Sequence, residues 1–76
     1  MSKYTKQTVS TIVRKNIKSI KQSKGLTSQE LADKAELTHG YIRDLESLTI
    51  EKTPSLETLA KISNALDIDI KKLFEE

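Results

Sequence analysis

Apolar residues in this chain recur at three- and four-residue steps, which predicts an all-α protein. From Thr8 onward, Val9, Ile12, Val13, Ile17 and Ile20 fall at helical spacings, with Arg14, Lys15, Lys18 and Lys21 largely on other faces. The helix they predict ends before Gly25, which tolerates the left-handed backbone of a helix terminus. In residues 28–47, Leu31 and Ala35 stand one turn apart, as do Ile42 and Leu45, so two short helices each turn an apolar stripe to a shared core. Ala32 and Ala35 are small where a large side chain would push the helices apart. Thr27 and Glu30 have the spacing of a capping box for the first of them. Thr38 suits the cap of the second, which is expected over about residues 39–47. Only Glu36, Leu37 and Thr38 are left between them for the turn, and helices joined so closely cross at a steep angle.

Residues 48–53 read as a loop, from which Leu48 and Ile50 can fold back onto the core. Pro54 and Ser55 open a fourth helix, with Ser55 as its cap and Glu57 in the first turn, where a negative charge suits the helix dipole. Its expected core face is Leu56, Leu59, Ile62 and Leu66, assisted by Ala60 and Ala65. Ile68, Ile70, Leu73 and Phe74 crowd the end of the chain, and Asp69 is placed to cap a short fifth helix over about residues 70–75. Residues 1–7 carry no periodic signal. The expected division is therefore an arm at 1–7 and one compact domain at 8–76.

Composition narrows the chemistry. A chain of 76 residues supports one domain. A domain of that size buries only about 60% of its unfolded surface, so it gains from oligomerisation. With no cysteine and with His39 as the only histidine, a zinc site would need an unusual carboxylate set; neither metal nor cofactor is expected. Gly25 and Gly40 are too few for a glycine-rich phosphate loop, and a lone histidine offers no catalytic triad, so an enzyme is not expected. No apolar run approaches the roughly 20 residues that span a bilayer, and the N-terminus lacks a signal-peptide core, which predicts a cytoplasmic protein without a membrane partner.

Charge adds a direction. The net charge is only +2, yet residues 1–24 hold seven basic side chains and no acid, whereas the remainder holds six basic against eleven acidic. Such asymmetry is either a solvated lysine face or an attraction to an anionic partner at one end.

Four segments, in order and spacing, carry a resemblance: Ile17 and Ile20; GLTSQELA at 25–32; THGYIRDLE at 38–46; and PSLETLAKISNALDIDIKKLF at 54–74. From residue 16 to residue 74 the chain resembles the phage-repressor (Cro/cI-like, XRE-type) family of helix-turn-helix DNA-binding domains. The resemblance implies a compact five-helix repressor-type helix-turn-helix domain on double-stranded DNA. It puts the start of the third helix in the major groove, with Thr38, His39, Gly40 and Asp44 at base edges and Tyr41 and Arg43 nearer the backbone. His39 can donate to guanine N7 or O6. Asp44 can accept from cytosine N4, or else repel phosphate. Gly40 either allows close approach to a thymine methyl or merely weakens the helix.

The resemblance also implies phosphate contacts at the N-terminus of the second helix, from Ser28 and Gln29, and in the following loop, from Lys52 and Thr53. Ser28 stands where the family usually has glutamine, and Gln29 can take over part of that bracing role. Glu36 stands where glycine is usual, implying positive φ at a cost of about 1 kcal/mol. Glu46 is expected to pair with Lys21, a lysine in place of the usual arginine. Some relatives touch DNA backbone with an N-terminal arm; plain disorder is the alternative for 1–7. Ile70, Leu73 and Phe74 either close the core or form a two-fold interface, as in relatives that dimerise. The implied function is sequence-specific transcriptional regulation, as a homodimeric repressor on a two-fold-related operator. The alternatives are an antitoxin, which would also bind a toxin, and a restriction-modification controller.

Overall fold

A computed structural model of the chain describes residues 2–47 and 49–76. Among the described residues four α-helices follow one another: α1 (Lys6–Ser23), α2 (Ser28–Ala35), α3 (His39–Glu46) and α4 (Leu56–Leu66). Each starts at a side-chain cap. Thr27 Oγ1 accepts from the Glu30 amide at 3.0 Å while Glu30 Oε1 accepts from the Thr27 amide at 2.9 Å. Thr38 and Ser55 hydroxyls accept from the Tyr41 and Thr58 amides, each at 3.1 Å. Such caps satisfy amides that the first turn of a helix leaves without partners. The same chemistry sets the start of α1, two residues before the apolar periodicity begins, because Thr5 and Thr8 form a reciprocal capping box. Ahead of it, Lys3 Nζ lies 3.6 Å from Glu76 Oε2 and the Tyr4 hydroxyl donates to the same carboxylate.

The expected fifth α-helix is not one. Residues Ile70–Phe74 form a 3₁₀ turn, capped by Asp69 through the Lys71 amide at 3.1 Å. The Lys72 amide bonds the Asp69 carbonyl three residues back, the tighter pattern common in short terminal pieces. Asn16 pins this turn on α1, donating from Nδ2 to the carbonyls of Leu73 (2.8 Å) and Glu75 (2.6 Å).

Three helix ends use left-handed residues. Gly25 (φ 71°) closes α1, Glu36 (φ 58°) closes α2 and Asp67 (φ 55°) closes α4. In each, the next residue's amide reaches back to a carbonyl of the last turn: Leu26 to Lys21, Leu37 to Ala32, Ile68 to Ser63. Glu36 thus carries the strain expected of it, and its amide geometry shows what the strain secures, a turn of three residues into α3.

The core takes Val13 and Ile17 from α1, Leu31, Ala32 and Ala35 from α2, Ile42 and Leu45 from α3, Leu59, Ile62 and Leu66 from α4, and Leu73 from the terminal turn. Small Ala32 and Ala35 are buried on α2, which packs on both α3 and α4. Several expectations are corrected here. Leu56 is 80% exposed. It sits at the first position of α4, and Pro54, two residues earlier, is the buried apolar residue at that end. Ala60 and Ile50 are exposed too, and Leu48 lies outside the described residues. Arg14, expected on a face of α1 away from the apolar stripe, is instead buried, at 6% exposure, and Lys21, expected to pair with Glu46, is buried with it at 7%.

Candidate nucleic-acid interface

Two polar clusters hold the α2-turn-α3 unit against α1. The first is built on Lys21, whose ammonium lies 2.7 Å from Glu46 Oε2 with both side chains nearly buried. No hydrogen-bond donor is aligned on that oxygen, so the ammonium is its sole compensation among the described residues. Ser28 completes the cluster: its hydroxyl accepts from Lys21 Nζ at 3.0 Å and donates to Glu46 Oε1. The hydroxyl at the head of α2 is thereby tied to the last residue of α3 and to α1. Bracing expected of a longer side chain is done by Ser28 itself, and Gln29 has a different partner, Asp33 Oδ1 at 3.2 Å one turn on.

The second cluster is built on Arg14. Its Nε donates to the Leu45 carbonyl at 2.7 Å, Nη1 to Lys52 at 3.2 Å, and Nη2 to Asp44 at 2.9 Å and Ile50 at 2.7 Å, with the Ser47 carbonyl also in its reach. Ser10 adds a hydroxyl to the Lys52 carbonyl at 2.9 Å. One guanidinium on α1 therefore caps the C-terminus of α3 and fixes the course of the loop beyond it. Sequence reasoning missed Arg14 and Ser10. Their only local signal is that Ser10, Arg14 and Lys21 share one flank of the apolar stripe, and an arginine there ordinarily extends to solvent.

In front of this frame lies the outer face of α3. Arg43 is exposed, whereas His39, Gly40, Tyr41 and Asp44 are half-buried. Thr38 is exposed, with its hydroxyl engaged in capping. A Cβ added at Gly40 would meet nothing within 4 Å, so no packing inside the protein calls for glycine there. Lys52 reaches back over this face. Its Nζ is 3.6 Å from Asp44 Oδ2 and 4.4 Å from the centre of the Tyr41 ring. Both contacts are partly open to solvent and each is worth at most about 1 kcal/mol. Thr53, next along, is exposed.

At the head of α2, Glu30 is held below the usual carboxylate range, first by the hydrogen bond from the Thr27 amide and next by the Thr27 hydroxyl. A shallow polar cavity opens between the start of α1 and the loop, lined by Gln7, Ser10, Thr11, Arg14, Glu51, Lys52 and Thr53, and bridged by a 3.0 Å bond from Gln7 to Glu51. The three residues expected at a two-fold interface separate. Leu73 has no exposed surface and belongs to the core, which removes it as a direct contact; Ile70 and Phe74 remain 41% and 42% exposed. No group of three or more potential metal-ligating side chains occurs among the described residues, and no helix there is long and apolar enough to cross a membrane.

Comparison with known proteins agrees with this arrangement. A helix-turn-helix family profile matches residues 17–73. The chain is 31% identical over 65 residues to the HTH-type transcriptional regulator SinR of Bacillus subtilis, covering 86% of this chain and 58% of that one. It is 36% identical over 64 residues to the immunity repressor protein of Bacillus phage phi105, covering 84% and 43%. The chain thus spans about half the length of these relatives. Among solved structures, the restriction-modification controller protein C.AhdI from Aeromonas hydrophila superposes with a TM-score of 0.76 at 27% identity, covering 83% of this chain and 92% of that one. The clp gene regulator ClgR from C. glutamicum superposes with a TM-score of 0.77 at 28% identity, over 86% and 82%. With its short turn, its braced third helix and a profile match over most of its length, the chain belongs to the helix-turn-helix family.

Proposed function

We propose that this protein is a cytoplasmic, sequence-specific DNA-binding transcriptional regulator, a homodimeric repressor rather than an enzyme. The observation that carries the reading is the contrast between the two sides of α3. Behind it, Lys21, Ser28, Glu46 and Arg14 fix the helix to α1 and α2; in front, His39, Gly40, Tyr41, Arg43 and Asp44 lie on the outer face. A helix so held keeps its geometry while its outer face enters the major groove. Thr38, His39, Gly40 and Asp44 then meet base edges, and Tyr41 and Arg43 lie nearer the backbone. Ser28, with its hydroxyl committed to Glu46, contributes through its amide, together with Gln29, to a phosphate at the head of α2. Lys52 and Thr53 supply a second phosphate contact. Ile70 and Phe74 pack across a two-fold axis that sets recognition helices about 34 Å apart.

The experiment is selection of bound duplexes from a random pool, repeated with the double variant His39→Ala, Asp44→Ala. The wild type is expected to recover a two-fold-related sequence. The variant is expected to keep nonspecific binding, whose strength comes from phosphate contacts and falls with salt, while losing discrimination. Unchanged discrimination would remove α3 as the reading element.

Control of a restriction-modification system is a second reading, favoured by the likeness to C.AhdI over 92% of that chain. The recovered sequence separates the two, since the second requires it upstream of restriction-modification genes.

A further inference from the structure

Asp44 and Lys52 are joined twice. On the outer face of α3 their side chains approach to 3.6 Å. Behind that face their backbone carbonyls accept from the same guanidinium, Arg14, at 2.9 and 3.2 Å. The Ser10 hydroxyl, 2.9 Å from the Lys52 carbonyl, fixes the loop residue a second time. The Lys52 ammonium therefore starts from an anchored backbone and lies between a carboxylate and an aromatic ring, both on α3. A lysine suited to hold a phosphate is neutralised by a residue suited to read a base.

We propose that the Asp44–Lys52 pair couples base reading to phosphate binding. Lys52 stays on Asp44 until the carboxylate finds a donor on a base edge, and then turns to the adjacent phosphate. This rests on the DNA-binding reading above. A carboxylate accepts from the exocyclic amine of cytosine, whereas guanine N7 and O6 and thymine O4 are acceptors that repel it. Opposite cytosine the amine takes up the carboxylate and the ammonium is released. Opposite guanine or thymine the pair stays closed, and the protein loses both the base contact and one phosphate contact. A single base pair is thereby read twice. The pair is suited to exchange because it is loose and partly exposed, and water and salt already weaken it. Arg14 serves as a positioning residue, setting the two backbones so that the exchange needs only side-chain rotation.

The test compares the full-length wild type with Asp44→Asn, Lys52→Met and the double variant, each checked for helical content. The probes are a duplex recovered by the wild type from a random pool, about 20 base pairs long to hold two half-sites, and a scramble of equal composition. On the scramble, Asp44→Asn is expected to tighten binding several-fold and to steepen the slope of log affinity against log salt by about 0.9 per protomer, or about 1.8 for the dimer, the signature of one added phosphate contact in each half. Lys52→Met in that background is expected to abolish both gains. In the wild-type background, Lys52→Met should flatten the slope on the recovered duplex by a similar amount and leave the scramble unaffected. A gain from Asp44→Asn that survives without Lys52 overturns the proposal, since the carboxylate then only repels DNA. No gain at all overturns it equally. A wild type that fails to separate the two duplexes refutes the DNA-binding reading itself and takes this coupling with it, and that result is visible before any variant is compared.

Discussion

Arg14 donates from Nε to the carbonyl of Leu45 at 2.7 Å, so a guanidinium on the first helix closes the end of the third. All its partners among the described residues are backbone carbonyls, from Asp44, Leu45, Ser47, Ile50 and Lys52. The charge is compensated by the negative end of α3 and by the loop oxygens that converge on it. Among the loop's described residues Ile50 is exposed. The cation therefore supplies fixed partners for the loop backbone where that apolar side chain supplies none.

Replacing Arg14 by Met is expected to lower stability by about 3 kcal/mol, because carbonyls in a buried setting lose their donors together. Arg14→Lys should recover only part of this, since three ammonium donors on one atom cannot cover a fan of five acceptors. Urea unfolding of the two variants measures both. A loss under about 0.5 kcal/mol for Arg14→Met, the range of ordinary surface changes, would refute the role.

The Lys21–Ser28–Glu46 cluster gives an asymmetric expectation. Glu46→Ala leaves a nearly buried ammonium without its carboxylate and should cost about 3 kcal/mol, whereas Lys21→Met combined with Glu46→Leu should cost clearly less. Ser28→Ala should cost about 1 kcal/mol, the price of one hydrogen-bonding hydroxyl. If the double variant proves no more stable than Glu46→Ala, the cluster is not an isolated ion pair and other groups depend on it.

The helices were legible because their determinants are local. The apolar period and the caps Thr27, Thr38, Ser55 and Asp69 lie within a few residues of what they organise, and all four caps form. Arg14 was not legible, since its acceptors are backbone oxygens 30 or more residues away that no residue type marks. Leu56 misled for the opposite reason: a correct helical period says which face a residue shares, not whether anything covers that end of the face. Of the candidate site, the Lys21–Glu46 pair is implied by the resemblance, but the insertion of Ser28 between its members joins residues 7 and 18 positions apart that no local pattern marks. Lys52 was singled out for phosphate while its pairing with Asp44 depends on the loop course that Arg14 sets.

Acid should weaken the fold partly through the head of α2. Glu30 is held below its ordinary value by the Thr27 amide and hydroxyl, and Glu76 is lowered by the Tyr4 hydroxyl. A depressed folded value means that the contribution is present above the unfolded carboxylate value, about 4.3 for glutamate, and is lost as pH falls through the folded one. Melting temperature should therefore drop as the pH falls through and below the ordinary glutamate range. Glu30→Gln keeps an acceptor for the Thr27 amide but cannot titrate, so its melting curve should fall less steeply across that window. An identical slope would assign the acid sensitivity to other carboxylates.

At the chain end, neighbouring residues should answer differently to the same substitution. Leu73 is fully buried, so Leu73→Glu places a charge in the core and should unfold the domain. Ile70 and Phe74 are two-fifths exposed and flank it on the same 3₁₀ turn. Ile70→Glu with Phe74→Glu should leave the helical signal intact while sedimentation shifts from dimer to monomer. DNA affinity should fall with it, because a monomer engages only one half-site of a two-fold operator. Protein concentration supplies an internal check. If these side chains meet across an axis, the wild-type melting temperature rises with concentration and that of the double variant does not. A folded variant that remains dimeric places the interface elsewhere, and Leu56, the most exposed of the large apolar side chains among the described residues, is then the next to change. A dimer that survives at Ile70 and Phe74 but dissociates with Leu56→Ser moves the two-fold axis to the start of α4.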